Sequence, residues 1–138
     1  ARDIEVNVNY EIKHQSETTL SLFIDGWISW FNFEEFRKFY NIDLVTGKEM
    51  TLIDLLGEDA YEYAEAEVVK QIHKMLEEDP NLCFWGINDS EYMEDEFIGV
   101  TESTPFYINA DGNIVISYNK YDIAPGAMGI MEFEIPTK

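Results

Sequence analysis

The chain has few basic residues, one cysteine and no long apolar run. Lysine and arginine number 9 against 28 aspartates and glutamates, so the formal net charge is −19 over 138 residues. This charge repels nucleic acid and anionic membrane surfaces, and we expect neither as a partner. The single Cys83 excludes an internal disulfide, and its apolar neighbours favour an inert buried thiol over a nucleophile. Because no segment has the roughly 20 apolar residues that cross a bilayer, we expect no membrane insertion.

The first residues also lack the basic and then apolar pattern of a signal peptide. The chain starts with Ala1 rather than methionine, so it can be a processed or trimmed piece of a longer protein. Its length is close to the commonest size of one domain, and 46% hydrophobic residues are enough for a packed core. We therefore expect residues 1–138 to form a single domain.

Strand patterns stand at both ends of the sequence. Residues 4–12 alternate apolar and polar side chains, which is typical of a strand with one solvent-exposed face. Asp25-Gly26 suits a tight hairpin turn between two strands, and residues 36–45 predict another strand. Near the other end, the turn signal at 110–112 and the alternation at 129–136 predict a second hairpin and a last strand.

Helical patterns fill the middle of the chain. Thr51 and Asp54 form a capping pattern, which predicts a short helix that ends at Gly57. An apolar stripe then predicts a long helix from about 59 to 78, ended by Pro80. Strands first, helices second and strands last indicate an α+β fold, a largely antiparallel sheet with one long and one short helix packed on one face.

Acidic residues are concentrated between residues 58 and 102. This region has 14 carboxylates and two lysines, Lys70 and Lys74. Three interpretations are open: a solvated surface, a docking patch for a cationic partner, and a site for a divalent metal or a catalytic carboxylate pair. The loop residues that we select as candidates for partner binding are Glu91, Glu94, Asp95 and Glu96.

Known catalytic and metal-binding patterns are missing. The segment 109–114 begins like a calcium loop but has Ile114 at the glycine position and Lys120 at the glutamate position. We expect His14 on the apolar side of the first strand and His73 beside the helix stripe, and neither has a metal-ligand spacing. We therefore predict no catalytic residue, no cofactor and no metal.

Aromatic residues crowd the segment 27–40. Exposed rings there would stack on sugars or bind a protein partner, whereas buried rings would belong to the core. Because strand alternation splits the rings between two faces, both interpretations stay open. The candidates for exposed, partner-binding rings are Trp27, Trp30, Phe31 and Phe33.

Three motifs carry a family resemblance: D-x-x-T-G-K at 43–48, YDIAPGAMG at 121–129 and E-F-x-I-P at 132–136. With them, residues 18–136 resemble a bacterial extracytoplasmic domain of unknown function. That domain is found in the C-terminal part of RsiV-type lysozyme-sensing anti-sigma factors and as an accessory domain of PdaC-type peptidoglycan deacetylases. We expect the motif residues to be structural: Asp43, Gly47, Tyr121, Pro125, Gly126, Gly129 and Pro136.

The resemblance implies a non-enzymatic binding or sensor domain outside the cytoplasm, either secreted or anchored through a segment not present here. Its expected partner is a cationic protein, lysozyme-like, or cell-wall material such as peptidoglycan. Two alternatives stay open. In the first alternative, the chain is a hydrolase that acts on peptidoglycan or glycans through an unrecognised carboxylate pair. In the second, it is a structural module of a larger receptor or enzyme.

Overall fold

The computed structural model describes residues 3–88 and 97–137 and contains two antiparallel sheets of three strands each. The first sheet consists of β1 (Glu5–Gln15), β2 (Thr19–Ser29) and β3 (Phe33–Asp43). Two helices follow, α1 (Leu52–Leu56) and α2 (Ala60–Glu78). The second sheet consists of β4 (Phe106–Ile108), β5 (Ile114–Tyr118) and β6 (Met131–Ile135). The predicted α+β class is confirmed, with the strands divided between two sheets.

The two helices begin and end close to the predicted positions. Thr51 Oγ1 accepts a hydrogen bond from the Asp54 amide at 3.2 Å, and Asp54 Oδ2 accepts one from the Thr51 amide at 2.8 Å. Gly57 ends α1 with a φ of 93°, which favours glycine. α2 ends at Glu78, two residues before Pro80. Within the described residues, neither helix is long and apolar enough to span a membrane.

β2 passes straight through Asp25 and Gly26, so the predicted hairpin turn at this dipeptide is wrong. The chain turns instead at residues 30–32, between β2 and β3. A side chain at Gly26 would collide with the carbonyl oxygen of Asn7 and with the Phe36 ring. Glycine is therefore needed here because neighbouring strands approach closely and not because the backbone reverses.

The main core lies between α2 and one face of the second sheet. The α2 residues Ala64, Val68 and Ile72 are fully buried, as the predicted apolar stripe requires. The side chains that complete this core from the second sheet are Ile116, Tyr118, Phe133 and Ile135. Because the helix covers one face of these strands, their other face is left for the first sheet.

One end of the first sheet packs on that other face. The Phe39 ring stacks on the Tyr107 ring with centroids 5.1 Å apart. The buried Ser21 hydroxyl donates to Asn41 Oδ1 at 2.7 Å and accepts from the Ile108 amide at 2.9 Å. These contacts join the two sheets through both aromatic packing and satisfied buried polar groups.

A bulge in β1 changes the direction of the last residues of this strand. The register shifts between Ile12 and His14, so His14 pairs with Ser21. The prediction that His14 lies on the apolar side of the strand is therefore wrong. His14 instead faces the second sheet, where its Nδ1–H donates to the carbonyl oxygen of Asn109 at 2.9 Å.

The far end of the first sheet extends away from the core. Val6, Val8 and Tyr10 alternate with polar residues as the sequence predicts, but they are 60%, 58% and 75% exposed. The expectation that this apolar side is buried is wrong, because no described residue covers it. β1 is thus exposed on both faces along most of its length.

Candidate binding cleft

A cleft lies between the far end of the first sheet and the connection from β5 to β6. It encloses about 620 Å³ and combines polar, charged and aromatic side chains. The first sheet contributes Asn7, Asn9, Asp25, Trp27, Glu35 and Arg37, and the connection contributes Asn119, Lys120 and Ile130. Clefts with an aromatic surface and a few convergent polar groups are the usual form of ligand sites.

The strand register explains why these side chains meet. One cross-strand row consists of Asn7, Trp27 and Glu35, and the next consists of Asn9, Asp25 and Arg37. Directly opposite residues in antiparallel strands project from the same face with their Cβ atoms about 5 Å apart. Asp25 and Glu35 therefore present two carboxylates beside the Trp27 indole.

Arg37 connects the two sheets at the floor of the cleft. Its Nη2 donates to the carbonyl oxygen and to Oγ of Ser117, both at 3.0 Å, and its Nε donates to Asn119 Oδ1. The pKa of the Arg37 guanidinium is lowered from its ordinary value. Burial is the cause, and the nearby Glu132 carboxylate offsets part of this lowering. Arg37 thus bonds to the second sheet, and the Asp25 carboxylate has no ion-pair partner within the described part of the chain.

A second hydrogen-bonded group continues from this floor into the second sheet. Ser117 Oγ donates to Glu132 Oε2 at 2.8 Å, and the Tyr107 hydroxyl donates to Glu132 Oε1 at 2.9 Å. Burial raises the pKa of Tyr107 to about 12, and the hydrogen bond to Glu132 acts in the same direction. The network fixes the first sheet on the second and so sets the position of the cleft walls.

The four aromatic residues selected from the sequence lie at the far end of the first sheet. Trp30 and Phe31 occupy the turn after β2, with ring centroids 4.8 Å apart. Trp27 and Phe33 lie next to them, with ring centroids 5.6 Å apart. Trp27 is half-buried in the cleft and the other three are exposed. Their surface position is thus known, and their role in binding stays a prediction.

Several cations lie over aromatic rings. The Lys13 ammonium is 5.0 Å from the Tyr107 ring centroid, and Lys38 and Lys120 lie at 4.8 Å and 5.2 Å from the rings of their neighbours Tyr40 and Tyr121. With Arg37 over Phe39, four basic residues have this arrangement within residues 3–88 and 97–137. Since cations are scarce and aromatic rings hold some of them, much of the acidic surface is left uncompensated.

The predicted acidic loop candidates Glu91, Glu94, Asp95 and Glu96 lie outside the described residues. In residues 3–88 and 97–137, no group of three or more His, Cys, Asp and Glu side chains is placed to hold a metal ion. Cys83 is half-buried, so the expectation of a buried thiol is only partly correct.

The connection from β5 to β6 contains the YDIAPGAMG motif and forms one wall of the cleft. Tyr121 has a φ of 75°, unusual for a residue with a side chain, and Pro125 precedes a short 3-10 helix, Gly126–Met128. A methyl group at Gly126 would lie 2.5 Å from the Tyr121 ring. Tyr121 is 59% exposed, so it covers this corner from outside and does not lie beneath it. Gly129, with a φ of 66°, ends the turn.

The other motif residues hold backbone turns away from the cleft. Asp43 Oδ1 accepts from the Val45 amide at 2.8 Å, and the Gly47 amide donates to the Asp43 carbonyl oxygen at 2.7 Å. The carbonyl oxygen of Pro136 accepts a hydrogen bond from the Tyr63 hydroxyl at 2.7 Å. These bonds close the turn after β3 and hold the end of β6 against α2.

Reasoning from the sequence missed Asp25, Glu35 and the two β1 asparagines of the cleft. Asn7 and Asn9 belong to the polar side of β1, which by itself indicates only a solvated face. Reading Asp25-Gly26 as a turn removed Asp25 from the strand and separated it from Trp27. A signal was available in the two-residue spacing of Phe23, Asp25 and Trp27. This spacing is that of one face of a strand that continues through Gly26.

Comparison with known proteins gives a consistent family. Residues 54–138 match the sequence profile of DUF3298, described as a protein of unknown function. The anti-sigma-V factor RsiV of Bacillus subtilis is 33% identical over 101 residues, which are 72% of this chain and 34% of that protein.

Two solved structures share the fold. A DUF3298 family member from Bacteroides fragilis matches with a TM-score of 0.63 and 23% identity, over 96% of this chain and 51% of its own. One from Pseudomonas aeruginosa matches with a TM-score of 0.62 and 18% identity, over 95% of this chain and 57% of its own. The chain thus spans about half of these structures and about a third of RsiV.

Proposed function

This chain belongs to the DUF3298 family of proteins of unknown function, and we propose that it is a non-enzymatic binding or sensor domain for a cationic protein. The observation that carries the proposal is the cleft, where Asp25 and Glu35 lie beside Trp27 and Arg37 is held by other partners. Carboxylates next to an indole suit a lysine or arginine side chain, which gains both charge pairing and a cation–π contact.

The charge of the whole chain supports the same type of partner. At −19 the domain attracts basic proteins over long range, and the exposed rings of Trp30, Phe31 and Phe33 offer apolar area for the contact. Aromatic residues are frequent among the side chains that dominate binding energy. The charge of the whole domain thus provides long-range attraction, and the exposed rings provide a local aromatic contact at the far end of the first sheet.

A lysozyme-like protein is the specific partner that we propose. The support is the family resemblance of the sequence and the similarity to RsiV, an anti-sigma factor. The same resemblance supports a location outside the cytoplasm, secreted or attached through a segment that is not in this chain. Since the match covers 34% of RsiV, the activity of that whole protein does not transfer directly to this domain.

Titration calorimetry with lysozyme at low and high salt tests the proposal. We expect binding at low salt that weakens as salt increases, because screening reduces the attraction between the opposite charges. The variant Asp25→Asn/Glu35→Gln should weaken binding roughly tenfold or more. The matched control is Asp111→Asn/Glu17→Gln, which removes the same two charges from exposed positions elsewhere and should change binding less than about twofold.

Absence of association at low salt would remove lysozyme as the partner. Equal losses in the two double variants would show that net charge alone drives binding and that the cleft is not the site. Circular dichroism of each variant establishes that the fold is unchanged.

A second candidate ligand is a cell-wall glycan. The specific observation in its favour is that Trp27 lies between the Asn7 amide and the Glu35 carboxylate, and sugars are bound by aromatic faces with planar polar groups around them. Incubation with peptidoglycan fragments followed by product analysis separates the alternatives. A binding domain retains the fragments and releases nothing, whereas a hydrolase that uses Asp25 and Glu35 releases shorter products.

A further inference from the structure

We propose that the apolar face of the first sheet binds the same face of a second copy of this chain. The apolar face consists of the even-numbered residues 6–12 of β1, 20–28 of β2 and 34–42 of β3, which the strand register places on one side of the sheet. The contacts with the second sheet lie on the opposite side, and so do most first-sheet side chains of the cleft; Gly26 and Phe36 of the apolar face also border the cleft. The proposal therefore concerns a surface that adjoins the binding cleft only at Gly26 and Phe36.

The apolar face is large enough for a stable dimer. Val6, Val8, Tyr10, Ile12 and Phe36 are 60%, 58%, 75%, 48% and 39% exposed. Their exposed area is on the order of 600 Å², and the half-buried side chains of β2 add to it. A standard protein interface buries about 800 Å² from each partner. Soluble monomers seldom leave a continuous apolar patch of this size in water.

Charge favours a second copy as the occupant. The apolar face contains one acidic and one basic residue, Glu34 and Lys38, so its net charge is zero on a chain of charge −19. Acidic residues of the same strands, such as Glu11 and Asp25, are on the opposite side. Two copies can therefore meet here without opposing carboxylates. In a two-fold interface, Glu34 of each copy can face Lys38 of its partner.

Geometry is also compatible with this pairing. Two sheets pack face to face about 10 Å apart, with interdigitated apolar side chains between them. Gly26 lies within this face, beneath the Phe36 ring. A dimer would convert the exposed side of each first sheet into the inner layer of a sandwich.

Sedimentation equilibrium of the intact chain from low-micromolar to submillimolar concentration tests the proposal. We expect a monomer–dimer equilibrium that strengthens with salt, because salt screens the repulsion between two acidic chains. Val8→Lys places a charge on the exposed β1 side of the face and should raise the dimer dissociation constant roughly tenfold or more. Val45→Lys makes the same chemical change at a site that is 76% exposed and off the face, and it should leave the constant unchanged.

A monomer at every concentration and salt would overturn the proposal and leave the face to a different occupant. Equal effects of Val8→Lys and Val45→Lys would also overturn it, since association would then not use this face. Thermal melts of both variants show whether the fold is retained. Because salt should strengthen the dimer and weaken binding of a cationic protein, failure of one proposal is distinguishable from failure of the other.

Discussion

In α2 and the second sheet, the apolar residues Val68, Ile72 and Ile116 have no exposed surface, whereas Val6 and Val8 in the first sheet are more than half exposed. Both regions show a regular apolar pattern in the sequence. The patterns differ only in what packs against them: α2 and the second sheet cover each other, and one side of the first sheet has no cover among the described residues. A periodic apolar pattern thus predicts an element and its apolar side, and burial requires a second surface.

The two regions also differ in their share of the family match and of the cleft. The family match begins at residue 54, so it includes α2 and the second sheet, which form the core, and excludes the first sheet. Most of the cleft residues come from the first sheet, and the four aromatic candidates lie in its strands or in the turn between β2 and β3. The core half supplies one wall of the cleft, and the first sheet supplies the opposite wall.

The largest effect should come from the core half. Ile116→Ala removes a fully buried side chain that packs between α2 and the sheet. We expect it to lower the free energy of unfolding by about 2–5 kcal/mol, because transfer and cavity terms add. Urea denaturation followed by circular dichroism measures the change. A loss below about 1 kcal/mol would contradict the assignment of this region as the stabilising half.

The contact between the two regions should contribute less. Arg37→Met removes the hydrogen bonds that the Ser117 carbonyl oxygen and Asn119 Oδ1 accept from Arg37, and we expect a loss of about 1–3 kcal/mol in unfolding free energy. Lys38→Met, the control, changes a neighbouring exposed cation on the other side of β3. It should shift stability by less than about 0.5 kcal/mol. Equal losses in both variants would mean that Arg37 does not hold the sheets together.

Alkaline pH should weaken the hydrogen bond from Tyr107 to Glu132 in the second sheet. Tyr107 has its pKa raised from 10.0 to about 12, chiefly by burial. The unfolded chain therefore loses this proton at lower pH than the folded chain, and the stabilisation is complete below about pH 10 and lost as pH rises towards 12. Urea midpoints between pH 9 and 12 should fall less steeply in Tyr107→Phe than in the unchanged protein. Parallel curves would exclude Tyr107 as a contributor.

The smallest effect belongs to the apolar face of the first sheet. Val6→Lys changes a side chain that is 60% exposed, so in dilute solution the free energy of unfolding should change by less than about 0.5 kcal/mol. The same denaturation measurement as for Ile116→Ala gives a direct comparison of the two regions. A loss of more than about 1 kcal/mol would show that Val6 is covered in the monomer.

Prediction from the sequence succeeded where the signal is local. The capping box at Thr51 and Asp54, the stripe through Val68 and Ile72, and the hairpin around 110–112 depend on residues within one or two turns of each other. It failed at Gly26, where the reason for glycine is a contact with Asn7 on another strand, and at His14, where a bulge reverses the alternation. The cleft could not be predicted, because its two walls are separated by about 80 residues.

By itself, the sequence determined the fold class, the helix ends, the acidic charge and the absence of an internal disulfide. Only the tertiary structure decided which apolar stripe is buried, that Asp25 and Glu35 lie beside Trp27, and that Arg37 bonds to the second sheet and does not pair with Asp25. The physical reason is the distance along the chain over which each interaction acts. Backbone hydrogen bonding and side-chain periodicity act between near neighbours in the chain, whereas burial and ion pairing depend on which distant surfaces meet.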